Sequence, residues 1–101
     1  MNAIYIKSSM IKHFKHKGLK KLFKEDNRSK VNPEHAEKLL DLLDRLDASE
    51  NAEDMRFPSS GFHQLERNRK YNYAVDVSGN WRLTFTFKDG DAYDVNYEDY
   101  H

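Results

Sequence analysis

Hydrophobic and polar residues recur with two different periods along this chain, and the change falls past its middle. In the first half Met10, Ile11 and Phe14 open an apolar segment that reads as a short strand, and Leu19, Leu22 and Phe23 then recur at i, i+3 and i+4. That second spacing predicts a short helix. Asn32 before Pro33 has the form of an N-cap with proline in the first turn, and Glu34 suits the positive end of a helix dipole. A second helix is expected from there, with Ala36, Leu39, Leu40, Leu43 and Leu46 on one face and Glu37, Asp41, Asp44 and Arg45 on the other. From Ala48 to Gly61, where Asn51, Pro58, Ser59 and Ser60 cluster, the chain reads as a connector holding at most one short element.

Beyond it the period is two. Tyr73, Val75 and Val77 alternate with polar or small residues, as do Trp81, Leu83, Phe85 and Phe87, and then Tyr93, Val95 and Tyr97. Three antiparallel strands are expected, with Trp81, Phe85 and Phe87 in the core. A two-residue Asp89-Gly90 turn would oppose Phe85 to Asp94 and mix the faces. A three-residue Lys88-Asp89-Gly90 loop opposes Phe85 to Tyr93 and Trp81 to Tyr97, and is the expectation. A three-residue Ser78-Gly79-Asn80 turn likewise sets Val75 opposite Leu83 and Asp76 opposite Arg82. Asp76, Arg82, Asn96 and Glu98 then share the polar face, and the chain is expected to leave the sheet beside Arg82, carrying Asp99, Tyr100 and His101 with it.

At 101 residues the chain is one domain, 1–101. No apolar run approaches the roughly 20 residues of a membrane span, and nothing resembles the apolar core of a signal peptide, so a cytoplasmic protein without membrane contact is expected. The absence of cysteine excludes disulfides and thiolate chemistry, and the 5 histidines show no zinc-ligand spacing. Neither a metal nor another cofactor is expected. The net charge of +0 conceals segregation: residues 1–30 hold 9 Lys/Arg against 2 Asp/Glu, and residues 31–60 hold 3 against 8. The basic block, with Lys20, Lys21 and Lys24 at its centre, reads either as the footprint of a nucleic-acid backbone or as an intramolecular partner of the acidic block. His13, His16 and His35 read as surface residues.

Two quoted stretches carry a family resemblance. "SGNWRLTFTFKDGDAYDVNYEDYH" resembles the C-terminal third of HigB-type toxins of the RelE superfamily, whose members end on a similar acidic-tyrosine-histidine tail after an "NWRITF"-like strand. "MIKHFKHKGLKKLF" resembles the start of such toxins, so the match spans about residues 10 to 101; residues 1–9 read as an added segment or an early start codon. The resemblance implies an α+β, RelE-like fold in which two N-terminal helices pack on a mainly antiparallel sheet. It also implies a toxin of a toxin–antitoxin pair that acts as a ribosome-dependent endoribonuclease, cutting mRNA in the decoding site without a metal. The implied partners are mRNA on the ribosome, the ribosomal RNA of the 30S subunit and a co-encoded helix-turn-helix (HigA-like) antitoxin.

By the same resemblance His63 falls on the family's active-site histidine, Arg69 on the arginine closing that segment, Arg82 on the arginine after tryptophan, and Asp99, Tyr100 and His101 on the catalytic tail. The departure is "FHQLERNR", where Glu66 replaces a lysine of the family and Arg67 is the neighbour able to supply the lost charge. RNA cleavage of this kind needs a base for the 2′-hydroxyl, an acid for the departing 5′-oxygen and cations for the phosphorane, roles suited to histidine and arginine. His101 with Asp99 on the base side and His63 as acid is the assignment, and the two roles are exchangeable. Tyr100 either stacks on a base or packs on the sheet edge. Arg82 either serves the reaction or only pairs with Asp76. Two rival functions share the resemblance: a ParE-like gyrase poison, and a degenerate copy that binds antitoxin or RNA without cutting.

Overall fold

The computed structural model describes residues 10–65 and 72–99. Helix α1 spans Lys17–Glu25, with the His16 side chain as N-cap and Asp26 closing the C-terminus in the left-handed region, φ 53. Of the stripe the spacing predicts, Leu19 and Leu22 are buried and Phe23 is half-buried, and Gly18 is buried beside them. Asn32 accepts from the Glu34 N–H at 2.9 Å, but the turn it caps, Pro33–His35, is 3-10 in character. Helix α2, Ala36–Ala48, follows directly and buries Ala36, Leu39, Leu42, Leu43 and Leu46. Leu42 is therefore a core residue that the sequence pattern omits, while Leu40 is only half-buried. The connector holds one further 3-10 turn, Ala52–Met55, which plugs the core with fully buried Met55.

Among the described residues four strands form one antiparallel sheet in the order β1 (His63–Gln64), β2 (Asn72–Ser78), β3 (Trp81–Lys88), β4 (Asp91–Asp99). The predicted pairs Val75↔Leu83 and Asp76↔Arg82 are present, but the expected three-residue turn is corrected: a register shift after Asp76 pairs Ser78 with Trp81, and the turn is the two residues Gly79-Asn80. The β3–β4 hairpin differs from expectation. Its turn is the two-residue Asp89-Gly90 form, with φ 55 and 85, so Lys88 pairs with Asp91 and Thr86 with Tyr93. Face mixing is avoided by a bulge. Between Thr86↔Tyr93 and Thr84↔Asn96 the β4 strand spends one extra residue, and Asp94 there has φ 51. The phase shift returns Val95 and Tyr97 to the core face, seats Ala92 inside and leaves Tyr93 exposed. Consequently Tyr97 lies opposite Leu83, and Trp81 lies opposite Asp99.

The segment Met10–Phe14 runs parallel to β4 through bridges Ile11↔Ala92 and Phe14↔Val95, as a partial fifth strand. Asp47 of α2 anchors it by accepting from the Met10 and Ile11 N–H groups at 2.9 and 3.1 Å. Both helices cover one face of the sheet, where Leu19, Leu22, Leu39, Leu43 and Leu46 meet Val75, Leu83, Phe85 and Val95. Burial of each such side chain contributes about 1.5–3 kcal/mol. The opposite face is left to polar residues. Among the described residues no helix is long and apolar enough to cross a membrane.

Candidate functional site

Register places the polar residues of the uncovered face in rows. Pairings His63↔Ala74, Ala74↔Thr84 and Thr84↔Asn96 make one row across all four strands, and Asp76↔Arg82↔Glu98 make the next. Small Ala74 and Thr84 form the low centre of the first row. His63 stands at one end of it, exposed, with Nδ1 at 3.0 Å from the Gly61 carbonyl oxygen. A carbonyl only accepts, so Nδ1 carries the proton in this contact and Nε2 is the nitrogen left for proton transfer.

Arg82 is the cation of the second row. Its Nε lies 2.9 Å from Asp76 Oδ1, and Nη1 donates to the carbonyls of Gly79 and Trp81 at 2.8 and 3.2 Å. Nη2 is the nitrogen that these three contacts do not use. Asp76 is itself fixed from the other side: its N–H donates to the Ser60 carbonyl at 2.8 Å, and a side chain at Gly61, φ 63, would strike its carboxylate at 2.3 Å. Gly61 thus lets the loop before β1 close on Asp76. His63 and Arg82 are held through one chain of contacts, running Arg82, Asp76, Gly61, His63.

The last described residue of β4 is Asp99. Alternation along the strand sets it on the face of Tyr97 and Trp81, while its neighbour Glu98 faces Arg82's side and accepts from Thr84 at 2.9 Å. The expectation that the chain exits directly beside Arg82 is therefore corrected: the bulge at Asp94 shifts the pairing so that Asp99 lies opposite Trp81 and Glu98 opposite Arg82. Under Asp99 sits an aromatic cluster whose Trp81 and Tyr97 are expected as neighbours and whose histidines are not. Tyr97 stacks on Trp81 with centroids 4.5 Å apart, and its hydroxyl is 2.5 Å from His35 Nδ1. His35, expected on the surface, is 7% exposed because the Asn32-capped turn swings its ring against Trp81 and Tyr97. Burial pushes the Tyr97 phenol above its usual range, against the pull of a backbone hydrogen bond from Asn32.

His16, also expected on the surface, is half-buried: Nδ1 accepts from the Leu19 N–H at 3.1 Å, and the ring meets Tyr97 edge-on. Desolvation holds its imidazole below the ordinary value. His13 is exposed, paired with Asp94 at 2.8 Å. The basic block divides in two. Lys20 and Lys24 line a depression with Lys12 and His13, whereas Lys21 lines a separate cleft with Lys15 and Lys30; Lys17 borders both. Contact with the acidic block is made by Arg28, which pairs with Glu37 at 2.7 Å. Glu66, Arg67, Arg69, Tyr100 and His101 lie outside the described residues.

Comparison with known proteins adds a family. Residues 12–101 match the model of the RelE-like toxin of type II toxin–antitoxin system HigB. A protein of Proteus vulgaris named Endoribonuclease HigB is 40% identical over 92 residues, covering 91% of this chain and 100% of that one. Toxin HigB-1 of Vibrio cholerae is 34% identical over 85 residues, covering 82% of this chain and 90% of its own length.

Proposed function

The chain belongs to the RelE-like HigB toxin family of type II toxin–antitoxin systems, and from that premise we infer that it is an endoribonuclease acting on mRNA in the ribosomal decoding site. One observation supports this reading above the rest: the uncovered sheet face carries His63 and Arg82 on a shared brace, and β4, the strand paired with that of Arg82, ends one residue past Glu98 at Asp99, where the acidic-tyrosine-histidine tail begins. His63 lies two strands from Arg82, roughly 10 Å sideways, a span suited to one phosphodiester and its flanking sugars.

In the reaction, His101 with Asp99 takes the 2′-hydroxyl proton, and the 2′-oxygen forms its bond to phosphorus. The bond from phosphorus to the 5′-oxygen breaks, and His63 Nε2 protonates that oxygen. The products are a 2′,3′-cyclic phosphate and a 5′-hydroxyl. Arg82, with Arg69, stabilises the charge that gathers on the phosphorane oxygens, which is where fixed cations act most strongly. Tyr100 stacks on a base of the codon. Lys20, Lys21, Lys24 and Arg67 hold nucleic-acid backbone, and a helix-turn-helix antitoxin is the neutralising partner.

The test is purified protein added to a translating extract, with mRNA ends mapped. Cuts within ribosome-occupied codons, bearing 5′-hydroxyl ends, are expected. Intact mRNA with translation unaffected contradicts the reading. Intact mRNA together with inhibited gyrase moves the protein to a gyrase-poisoning role.

A further inference from the structure

At the junction of the first segment and α1 the surface is hollowed into a cleft of about 600 Å³. Lys15, Lys17, Lys21 and Lys30 line it, with Asn96 of β4 at one end. No carboxylate lines it, and among the described residues none lies within ion-pairing distance of these four lysines. Four like charges therefore stand around one hollow. Such an arrangement is unfavourable alone and favourable around an anion.

The cleft is also shaped by sequence. A Cβ at Gly18 would lie 2.7 Å from Lys30 Cβ and 2.9 Å from the Lys30 carbonyl oxygen, so only glycine lets the loop after α1 close on the helix's first turn. That approach brings Lys30 to the same hollow as Lys17 and Lys21. His16, among the lining residues, presents an imidazole whose Nδ1 is occupied by the Leu19 N–H and whose burial favours the neutral form. A cationic wall beside an uncharged aromatic ring suits a phosphate joined to a base better than a bare anion.

The cleft is continuous with the outer sheet face. Lys15 and Asn96 also line a small depression there with Thr84 and the carboxylates of Asp94 and Glu98. Asn96 is the far end of the row that begins at His63, three interstrand spacings or about 14 Å away. A strand lying across His63 therefore runs over Thr84 and Asn96 and into the lysines. We propose that this cleft is a second RNA subsite, holding the phosphates of the single-stranded substrate beyond the nucleotides that react. The proposal rests on the RNA-cleavage reading and adds Lys15, Lys17, Lys30, His16 and Gly18 to it. Lysine point charges and the open cleft imply contact without sequence preference.

The probe is a fluorescent 2′-O-methyl oligoribonucleotide of about ten residues, which cannot be cut by 2′-hydroxyl attack, bound to the full chain. Lys21→Gln with Lys30→Gln should weaken binding about tenfold at low salt and reduce the log-log salt slope by about 1.4, near 0.7 per lost phosphate contact on a single strand. Lys38→Gln with Lys88→Gln, the same charge change elsewhere, should leave both unchanged. Equal losses from the two pairs, no loss from the cleft pair, or no binding by the unaltered chain would each overturn the proposal. So would a decaglutamate peptide that binds as tightly with the same lysine dependence, which would make the cleft a dock for an acidic protein segment. mRNA cleavage in extract is measured in parallel: lysine-dependent oligonucleotide binding without cleavage leaves the subsite standing and removes the enzyme.

Discussion

His16 shows how much one side chain is asked to do. As an N-cap its Nδ1 must keep a lone pair for the Leu19 N–H, and protonation there would end the cap. Burial already depresses its pKa, so the folded protein binds that proton less readily than the unfolded chain. Stability from His16 is therefore present above its unfolded value near 6.5 and lost as pH falls through the lower folded value. We predict a decline in thermal stability as pH falls below about 6.5. His16→Asn keeps a capping side chain without the titration and should flatten that part of the curve. Tyr97 has the opposite sign at the other extreme: its raised pKa gives stability that is present below about pH 10 and lost above it. Alkaline unfolding should thus move with Tyr97→Phe, read by circular dichroism. His63 tests a different kind of contact. Gly61→Ala would force a side chain into the Asp76 carboxylate at a left-handed φ, displacing the loop that carries His63, so cleavage should fall although glycine brings no reactive side chain of its own. Full activity in a folded Gly61→Ala protein would uncouple His63 from the Arg82–Asp76 brace.

At the level of elements, periodicity made both helices and the three long strands legible, because a half-covered sheet and a one-faced helix leave their burial pattern in the residues themselves. The hairpin was less legible. Pattern alone cannot distinguish a three-residue loop from a two-residue turn followed later by a bulge, since both return apolar side chains to the core. The bulge shows itself only as Asp94, a residue type tolerant of positive φ, placed between Tyr93 and Val95. Asp94→Val, which fits the alternation better, should accordingly destabilise the protein by about 1–2 kcal/mol, measured by denaturant midpoint, because a β-branched residue resists the left-handed region. Asp94→Gly should be near neutral, trading the exposed His13 pair for backbone ease. Equal stability for Val and Gly variants would argue against the bulge. The surface assignments of His16 and His35 failed for a related reason: both histidines stand at helix starts, where the chain turns a side chain back onto the structure instead of out to solvent.

For the whole molecule, helices on one side of the sheet leave a polar face uncovered on the other, and His63 and Arg82 stand on it. His63, the Arg82–Thr84 pair of β3 and Asn96 come from three separate stretches of the sequence, and the register of the sheet brings them into neighbouring rows. Residue type and resemblance could name His63 and Arg82 singly, but the link between them through Asp76 and Gly61 needed the fold, because it depends on a carboxylate and a glycine that no chemical motif marks. The measurement that bears most directly on the central claim is the single-turnover cleavage rate of ribosome-bound mRNA by the unaltered chain, by His63→Ala and by a chain ending at Asp99. Codon-specific cleavage by the unaltered chain is expected, with each variant slower by about 10²- to 10⁴-fold, the usual worth of a positioned acid or base, and thermal stability within about 0.5 kcal/mol. Cleavage at the unaltered rate by either well-folded variant would contradict it.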